Sequence, residues 1–242
     1  MKKMVLFLNI VIIAILLVPT SAFGHKLIPS DGSNLSLESS LEIPDPNISW
    51  AIYESINGNV KYYSFYGEQG EMFYASIVIP KLENLENFAP SMAFIGPESF
   101  LEIIDEFRIQ KTNKSFPFSL PDGYDAHVFD YIGDFPSNEF YEPFGQVTYW
   151  ERQEVIFDFP VTGKYYLAVF DKGSNPGKYA LAIGTIEDFS ASDFFTILPY
   201  AWLETKLFVN DYASAISAII IFFGILSIIG YMWYRKIRSY QL

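Results

Sequence analysis

The sequence predicts an all-β fold, an antiparallel β-sandwich or jelly-roll ectodomain, set between an N-terminal signal peptide and one C-terminal transmembrane helix. Three observations carry that reading. Residues 155–183, VIFDFPVTGKYYLAVFDKGSNPGKYALAI, alternate apolar with polar or small positions in three short runs. Comparable runs, each bounded by Gly, Pro, Asn or Asp, recur from residue 49 onward. Residues 213–234 then pass 22 positions without a charge. A strand turns successive side chains to opposite faces, so period-two alternation marks strands with one buried face.

Taken in order, the chain opens with Lys2 and Lys3, an apolar run over 5–18 broken only by Asn9, and then Ala22-Phe23-Gly24. A basic start, a short apolar core and a small-x-small exit describe a signal peptide over 1–24, cleaved before His25. The alternative is an uncleaved anchor, for which the run is short. Residues 25–48, rich in Ser, Asn, Asp and Pro, read as an extended arm in which Leu35-Ser36-Leu37 can add an edge strand.

The sandwich domain is expected over 49–186. Residues 49–54 form its first strand, and Asn57-Gly58-Asn59 has the turn chemistry of a hairpin into 61–66. A turn at 67–70 leads to a strand over 72–79, which Pro80 ends because it lacks an N–H. A loop over 81–90 precedes a short strand at 92–95. Phe100, Ile103, Ile104 and Phe107 have helical spacing, so 99–110 reads as helix or irregular structure. A strand at 126–131, a loop over 133–143 and a strand opening at 146 complete roughly eight to ten strands, the pattern of a sandwich or jelly roll.

Residues 187–212 form a juxtamembrane linker. Pro199 suits the first position of a helix, and Leu198, Trp202, Leu203, Leu207 and Phe208 supply an apolar face. Such a helix lies at the outer membrane surface or against the sandwich; the plain alternative is a stalk. From Ala213 the chain is apolar for long enough to cross a hydrocarbon core of about 30 Å. Trp233, with Tyr231 and Tyr234, marks the inner interface, and Arg235, Lys236 and Arg238 follow at once. The positive-inside rule therefore makes 235–242 a cytoplasmic tail and places the N-terminal domain outside. The expected protein is a single-pass type I protein of the cytoplasmic membrane at a bacterial or archaeal surface.

All 28 acidic residues fall within 25–212, whereas five of the 16 basic ones (Lys2, Lys3, Arg235, Lys236 and Arg238) lie outside it. The segment therefore carries 11 basic residues and a formal charge of −17. That balance excludes nucleic acid as a partner and disfavours docking of the ectodomain on anionic lipid. There is no cysteine, so the domain relies on its core, to which an aromatic content of 18% contributes. Thiol catalysis and cysteine-ligated zinc are excluded on the same ground. Asn34, Asn47 and Asn113 head Asn-x-Ser sequons, which are compatible with glycosylation.

The run Phe157-Asp-Phe-Pro-Val-Thr-Gly-Lys-Tyr-Tyr-Leu-Ala-Val, followed by Gly177-Lys-Tyr-Ala-Leu-Ala-Ile, resembles the closing strands of bacterial prepeptidase C-terminal (PPC-like) domains. Lys61-Tyr-Tyr-Ser-Phe-Tyr-Gly-Glu-Gln-Gly-Glu is similar to an earlier strand and turn of that family. The resemblance spans about a third of the chain and consists mostly of strand-and-turn grammar. It implies a jelly-roll-like sandwich used for binding or stability rather than chemistry. The loops over 82–90 and 133–143 are longer than that family's.

Catalytic constellations are scarce. A Ser-His-Asp set needs a histidine, and only His25 and His127 exist; neither a Gly-x-Ser-x-Gly elbow nor a His-Glu-x-x-His motif occurs. Enzymatic activity is therefore not the expected role, and no cofactor is required. Two metal readings stay open. Asp122, Asp125, Asp130 and Asp134, with Glu139 and Glu142, put oxygen ligands on loops that can converge on Ca²⁺, against the plain reading that they solvate turns. His25, as a new N-terminus, offers an amine and an imidazole to Cu²⁺, with His127 as a second imidazole. The preferred functional class is a membrane-anchored module that binds a protein complex or envelope polymer. The alternative is a metal-binding accessory protein or enzyme subunit at the outer surface of the same membrane.

Overall fold

The computed structural model of the chain describes residues 24–98 and 116–238. Residues 1–23 of the proposed signal peptide, the 99–110 segment and the Asn113 sequon lie outside the described residues. Strands β1 (Lys26–Leu27), β3 (Trp50–Ile56), β11 (Gly177–Ile183), β5 (Met72–Pro80), β9 (Val147–Asp158) and β8 (Glu139–Glu142) form one sheet in that order. The second sheet runs β2 (Leu41–Glu42), β4 (Lys61–Gly67), β10 (Gly163–Phe170), β6 (Ser91–Pro97) and β7 (Tyr124–Phe129). Helix α1 (Ile197–Phe208) and helix α2 (Tyr212–Arg238) follow.

The two sheets face each other across an aromatic core. Phe94 of the five-stranded sheet meets Phe73 at 5.2 Å and Phe157 at 4.7 Å, and Phe65 stacks on Phe73 at 5.0 Å. Edge-to-face and offset rings at such separations add to the burial of their large apolar area. The hydroxyls of the fully buried Tyr63 and Tyr179, one from each sheet, satisfy each other at 2.6 Å.

Several expectations change here. The Asn57-Gly58-Asn59 turn does not make a hairpin: β3 and β4 belong to different sheets, as do β4 and β5, β9 and β10, and β10 and β11. Those turns carry the chain across the sandwich, and Gly and Asn serve an inter-sheet reversal as well as an intra-sheet one. The sheets are antiparallel except at two edges, where β1 pairs with β3 and β2 with β4 in parallel. Leu35-Ser36-Leu37 adds no strand; Lys26–Leu27 and Leu41–Glu42 do so instead. The loop expected over 133–143 contains β8, paired with β9 from Glu139↔Trp150 to Glu142↔Val147. Strand β5 includes Pro80, which lies beyond Val78, where its ladder with β11 ends.

The arm over 25–48 closes one end of the sandwich with polar contacts. Lys61 Nζ of β4 lies 3.2 Å from the Glu54 carboxylate of β3 and donates to Gly32 O at 2.8 Å and Asn34 Oδ1 at 3.3 Å. Ser30 donates to the other Glu54 oxygen. The Asn34 amide also donates to Tyr62 O at 3.2 Å, so this sequon asparagine is buried and engaged.

A β-bulge sets β9 against β5. Ser76 pairs with Glu154 and Val78 with Glu151, so Arg152 and Gln153 together oppose Ile77, and both are buried. Arg152 donates to Phe88 O at 2.9 Å and Glu86 O at 2.8 Å, and its guanidinium lies 5.2 Å from the Tyr131 ring and 5.1 Å from Phe135. One cation thus holds both long loops against the sheet.

Candidate functional site

The outer face of the six-stranded sheet carries the candidate site. On a strand, alternate residues face outward, and here several outward residues are small. Register places Ala51 of β3 beside Ala182 of β11 and Ser76 of β5 in one row. The next row runs Tyr53, Ala180, Val78 and Glu151. Small side chains in the middle and large ones at the flanks leave a groove of about 230 Å³, with Tyr74, Phe140, Glu142 and Tyr149 also in its walls.

Helix α1 packs against Tyr53 beside the groove. Phe208 stacks on Tyr53 at 4.7 Å, and Thr205 meets the Tyr53 hydroxyl at 2.8 Å. Thr205 gives its own proton to Ala201 O, so Tyr53 is the donor to Thr205. The turn between β8 and β9 approaches α1 so closely that a Cβ on Gly145 would sit 2.5 Å from Thr205 Cγ2. Helix α1 therefore rests on the sandwich. Of the expected apolar face, Phe208 makes the ring contact. Ala201, Thr205 and Lys206 are buried, whereas Leu207 is exposed.

The groove is acidic and aromatic. The Glu142 carboxylate accepts the N–H groups of Phe144 at 2.7 Å and Gly145 at 2.5 Å. Burial pushes its pKa up, against those two hydrogen bonds and the charge of Lys206. Burial likewise raises the phenols of Tyr53 and Tyr149, so both are neutral donors at ordinary pH. Phe140 stacks on Tyr149 at 5.5 Å. Glu151 is exposed at the rim, and among the described residues no lysine or arginine lines the groove.

The sequence-predicted metal ligands are dispersed. His25 lies at the far end of this groove, where its ring nitrogen meets the Ser49 hydroxyl at 2.6 Å. His127 is on β7 with its ring 4.6 Å from Phe129, and burial lowers its pKa, opposed by Asp130. The Tyr63–Tyr179 bond sets β4 over β11, and the rings around Phe94 set β6 over β5 and β9. Strand order thus runs the same way in both sheets, which puts β1 and β7 on opposite flanks. The fold does not bring the two imidazoles together. Asp130 accepts from Ser91 at 2.6 Å and Lys172 at 2.6 Å, Asp125 accepts the Ala126 N–H at 2.8 Å, and Asp122 sits in the turn before β7. Asp134 meets Tyr131 through its backbone carbonyl. Among the described residues no three His, Asp or Glu side chains converge as a metal site. Ala213, Trp233, Arg235 and Lys236 all lie on α2, whose 27 residues make it long and apolar enough to cross a membrane.

No protein-family model matches this chain, and no curated protein does. Among solved structures it is similar to the pre-peptidase C-terminal domain of a collagenase from Bacillus anthracis. There the identity is 13%, the TM-score 0.29, and the match covers 59% of this chain and 91% of that one. It is also similar to PliG of Aeromonas hydrophila, a periplasmic inhibitor of g-type lysozyme, at 14% identity and TM-score 0.31, covering 60% and 95%. The family that the strands resemble in sequence is thus also met among solved structures, at low identity and over part of the chain.

Sequence reasoning singled out Glu142 only as a loop acid and missed Tyr53, Tyr74, Phe140, Tyr149 and Glu151. A usable signal was present: Ala51, Ala180 and Ala182 stand at outward strand positions where a solvated face would carry polar residues.

Proposed function

We propose that this chain is a membrane-anchored binding module that holds its sandwich outside the cytoplasm and recognises a protein partner through the groove on the six-stranded sheet. The observation that carries the reading is the groove itself: a small-residue floor between Tyr53 and Tyr149, with the helix that leads into α2 packed against Tyr53. A concave surface with aromatic walls and a few polar groups is the usual form of a recognition site. The direction of insertion follows from Arg235, Lys236 and Arg238 at the end of α2. The leader over 1–24 supplies export.

The test is site-specific photocrosslinking in native membranes. A photoreactive residue at Ser76, on the groove floor, gives a discrete protease-sensitive adduct; the same residue at Tyr66, exposed on the other sheet, does not. A protease-resistant adduct at Ser76 identifies an envelope polymer instead. Equal labelling at both positions, or none at Ser76, removes the groove as the recognition surface. A cysteine placed at the exposed Tyr66 position of this cysteine-free chain is labelled by an impermeant maleimide on intact cells; labelling only after lysis overturns the orientation.

A further inference from the structure

We propose that the groove takes an organic cation, and specifically the side chain of an arginine or lysine presented by a polypeptide partner; this rests on the groove being the recognition surface. Four aromatic rings, those of Tyr53, Tyr74, Phe140 and Tyr149, stand around a floor of alanines, and two carboxylates, Glu142 and Glu151, share the same lining. Aromatic faces carry negative potential and attract a cation held over them, more strongly when water is excluded. The volume of about 230 Å³ accommodates one long side chain rather than a folded element.

Neither carboxylate of the lining is ion-paired with one of the protein's own cations among the described residues. Among the described residues no lysine or arginine forms an ion pair with Glu142 or Glu151. Lys206 acts on Glu142 through space, but its ammonium pairs with Asp211 at 3.1 Å and lies 5.5 Å from the Trp202 ring. Glu142 is held in place by two backbone N–H groups, which fix its position without neutralising it. A cation entering the groove meets a fixed carboxylate at one side and a solvated one, Glu151, at the rim. The ectodomain's formal charge of −17 adds long-range attraction of the same sign.

The experiment is a titration of the full chain in nanodiscs of zwitterionic lipid, read by saturation-transfer NMR on three probes. These are N-acetyl-arginine methylamide, its neutral citrulline counterpart, and tetramethylammonium. The arginine probe binds saturably, and roughly tenfold more tightly than citrulline. Glu151→Lys, at an exposed position that leaves the fold intact, weakens the arginine probe by roughly fivefold; Tyr149→Leu weakens it further. Equal affinity for arginine and citrulline, or no effect of Glu151→Lys, overturns the cation assignment while the photocrosslink at Ser76 still stands or falls on its own. Tighter binding of tetramethylammonium than of arginine overturns the polypeptide source in favour of a small free cation. No saturable binding of any probe overturns the proposal.

Discussion

Lys206 Nζ lies 3.1 Å from the Asp211 carboxylate, across the corner where α1 ends and α2 begins. Asn210 turns that corner at φ 61, in the left-handed region that asparagine tolerates. Its N–H bonds to Leu207 O at 3.1 Å, and the Asp211 N–H bonds to Lys206 O at 2.8 Å. This is a Schellman ending, in which the two outer residues ordinarily touch through apolar side chains; here an ion pair takes that place. Asp211 also caps α2 through the Ser214 N–H at 3.2 Å. Lys178 of β11 adds bonds to Phe208 O at 2.8 Å and Asn210 Oδ1 at 3.0 Å. Helix α2 is therefore fastened to the sheet that bears the groove.

The corner is pH-dependent with a definite sign. Hydrogen bonds from Ser214 and Lys206 hold the Asp211 carboxyl below the usual carboxylate range. A depressed pKa stabilises the fold at pH above the unfolded value, near 4, and that contribution is lost as pH falls through the folded value. Asp211→Asn keeps the cap and removes the charge. Thermal unfolding of the full chain in detergent is expected to show Asp211→Asn below wild type at pH 7, the gap closing below about pH 4. A gap unchanged with pH refutes the ion pair's role.

Gly145 sets how closely α1 sits on the groove. A Cβ there would meet Thr205 Cγ2 at 2.5 Å and a Glu142 oxygen at 2.8 Å. Gly145→Val is therefore expected to lift α1 from Tyr53 and destabilise the fold by about 1–3 kcal/mol, the usual range for overpacking. Limited proteolysis is the measurement: cleavage within 187–211 accelerates while the sandwich stays resistant.

Gly184 follows β11 at φ 72, and a Cβ would stand 2.1 Å from Ile48 O, a backbone atom that cannot swing aside. Gly184→Ala is expected to cost about 2 kcal/mol or more through backbone strain and the clash. In calorimetry that lowers Tm by roughly 4–8 °C for a domain of this size. Gly163, where the nearest atom to a Cβ is 3.7 Å away, is the control: Gly163→Ala leaves Tm nearly unchanged.

Lys61 and Glu54 are both about 4% exposed at the side chain and bridge the two sheets. Removing one partner of a buried pair strands the other charge, so Lys61→Met is expected to destabilise by about 3 kcal/mol, and Glu54→Leu similarly. The double variant recovers most of that loss. Denaturant midpoints of the three variants provide the measurement, and additive single effects overturn the coupling.

Much of the fold was legible because it rests on local rules. Alternation at 72–80 follows from one face being buried, and the charge-free run before Arg235 has the length and composition a helix needs to cross lipid. The resemblance of residues 157–183 to PPC-like domains rested on the same turn and strand positions. Even Asn210 and Asp211 were readable in principle as a helix stop followed by a cap.

What only the tertiary structure decided is which strands are neighbours and what lies over them. The turn at 57–59 has the same chemistry whether it returns within a sheet or crosses to the other, since its dihedral angles are local and the choice of sheet is not. The bulge that buries Arg152 and Gln153 breaks alternation through register with β5, which no single strand records. The groove arises because Ala51, Ala182 and Ser76, more than a hundred residues apart at the extremes, fall into one row. Composition and period determine that this chain makes strands and one helix long and apolar enough to cross a membrane. Long-range pairing determines that Tyr53, Tyr149 and Glu142 share a surface, because only closure of the sheet brings them within reach of one ligand.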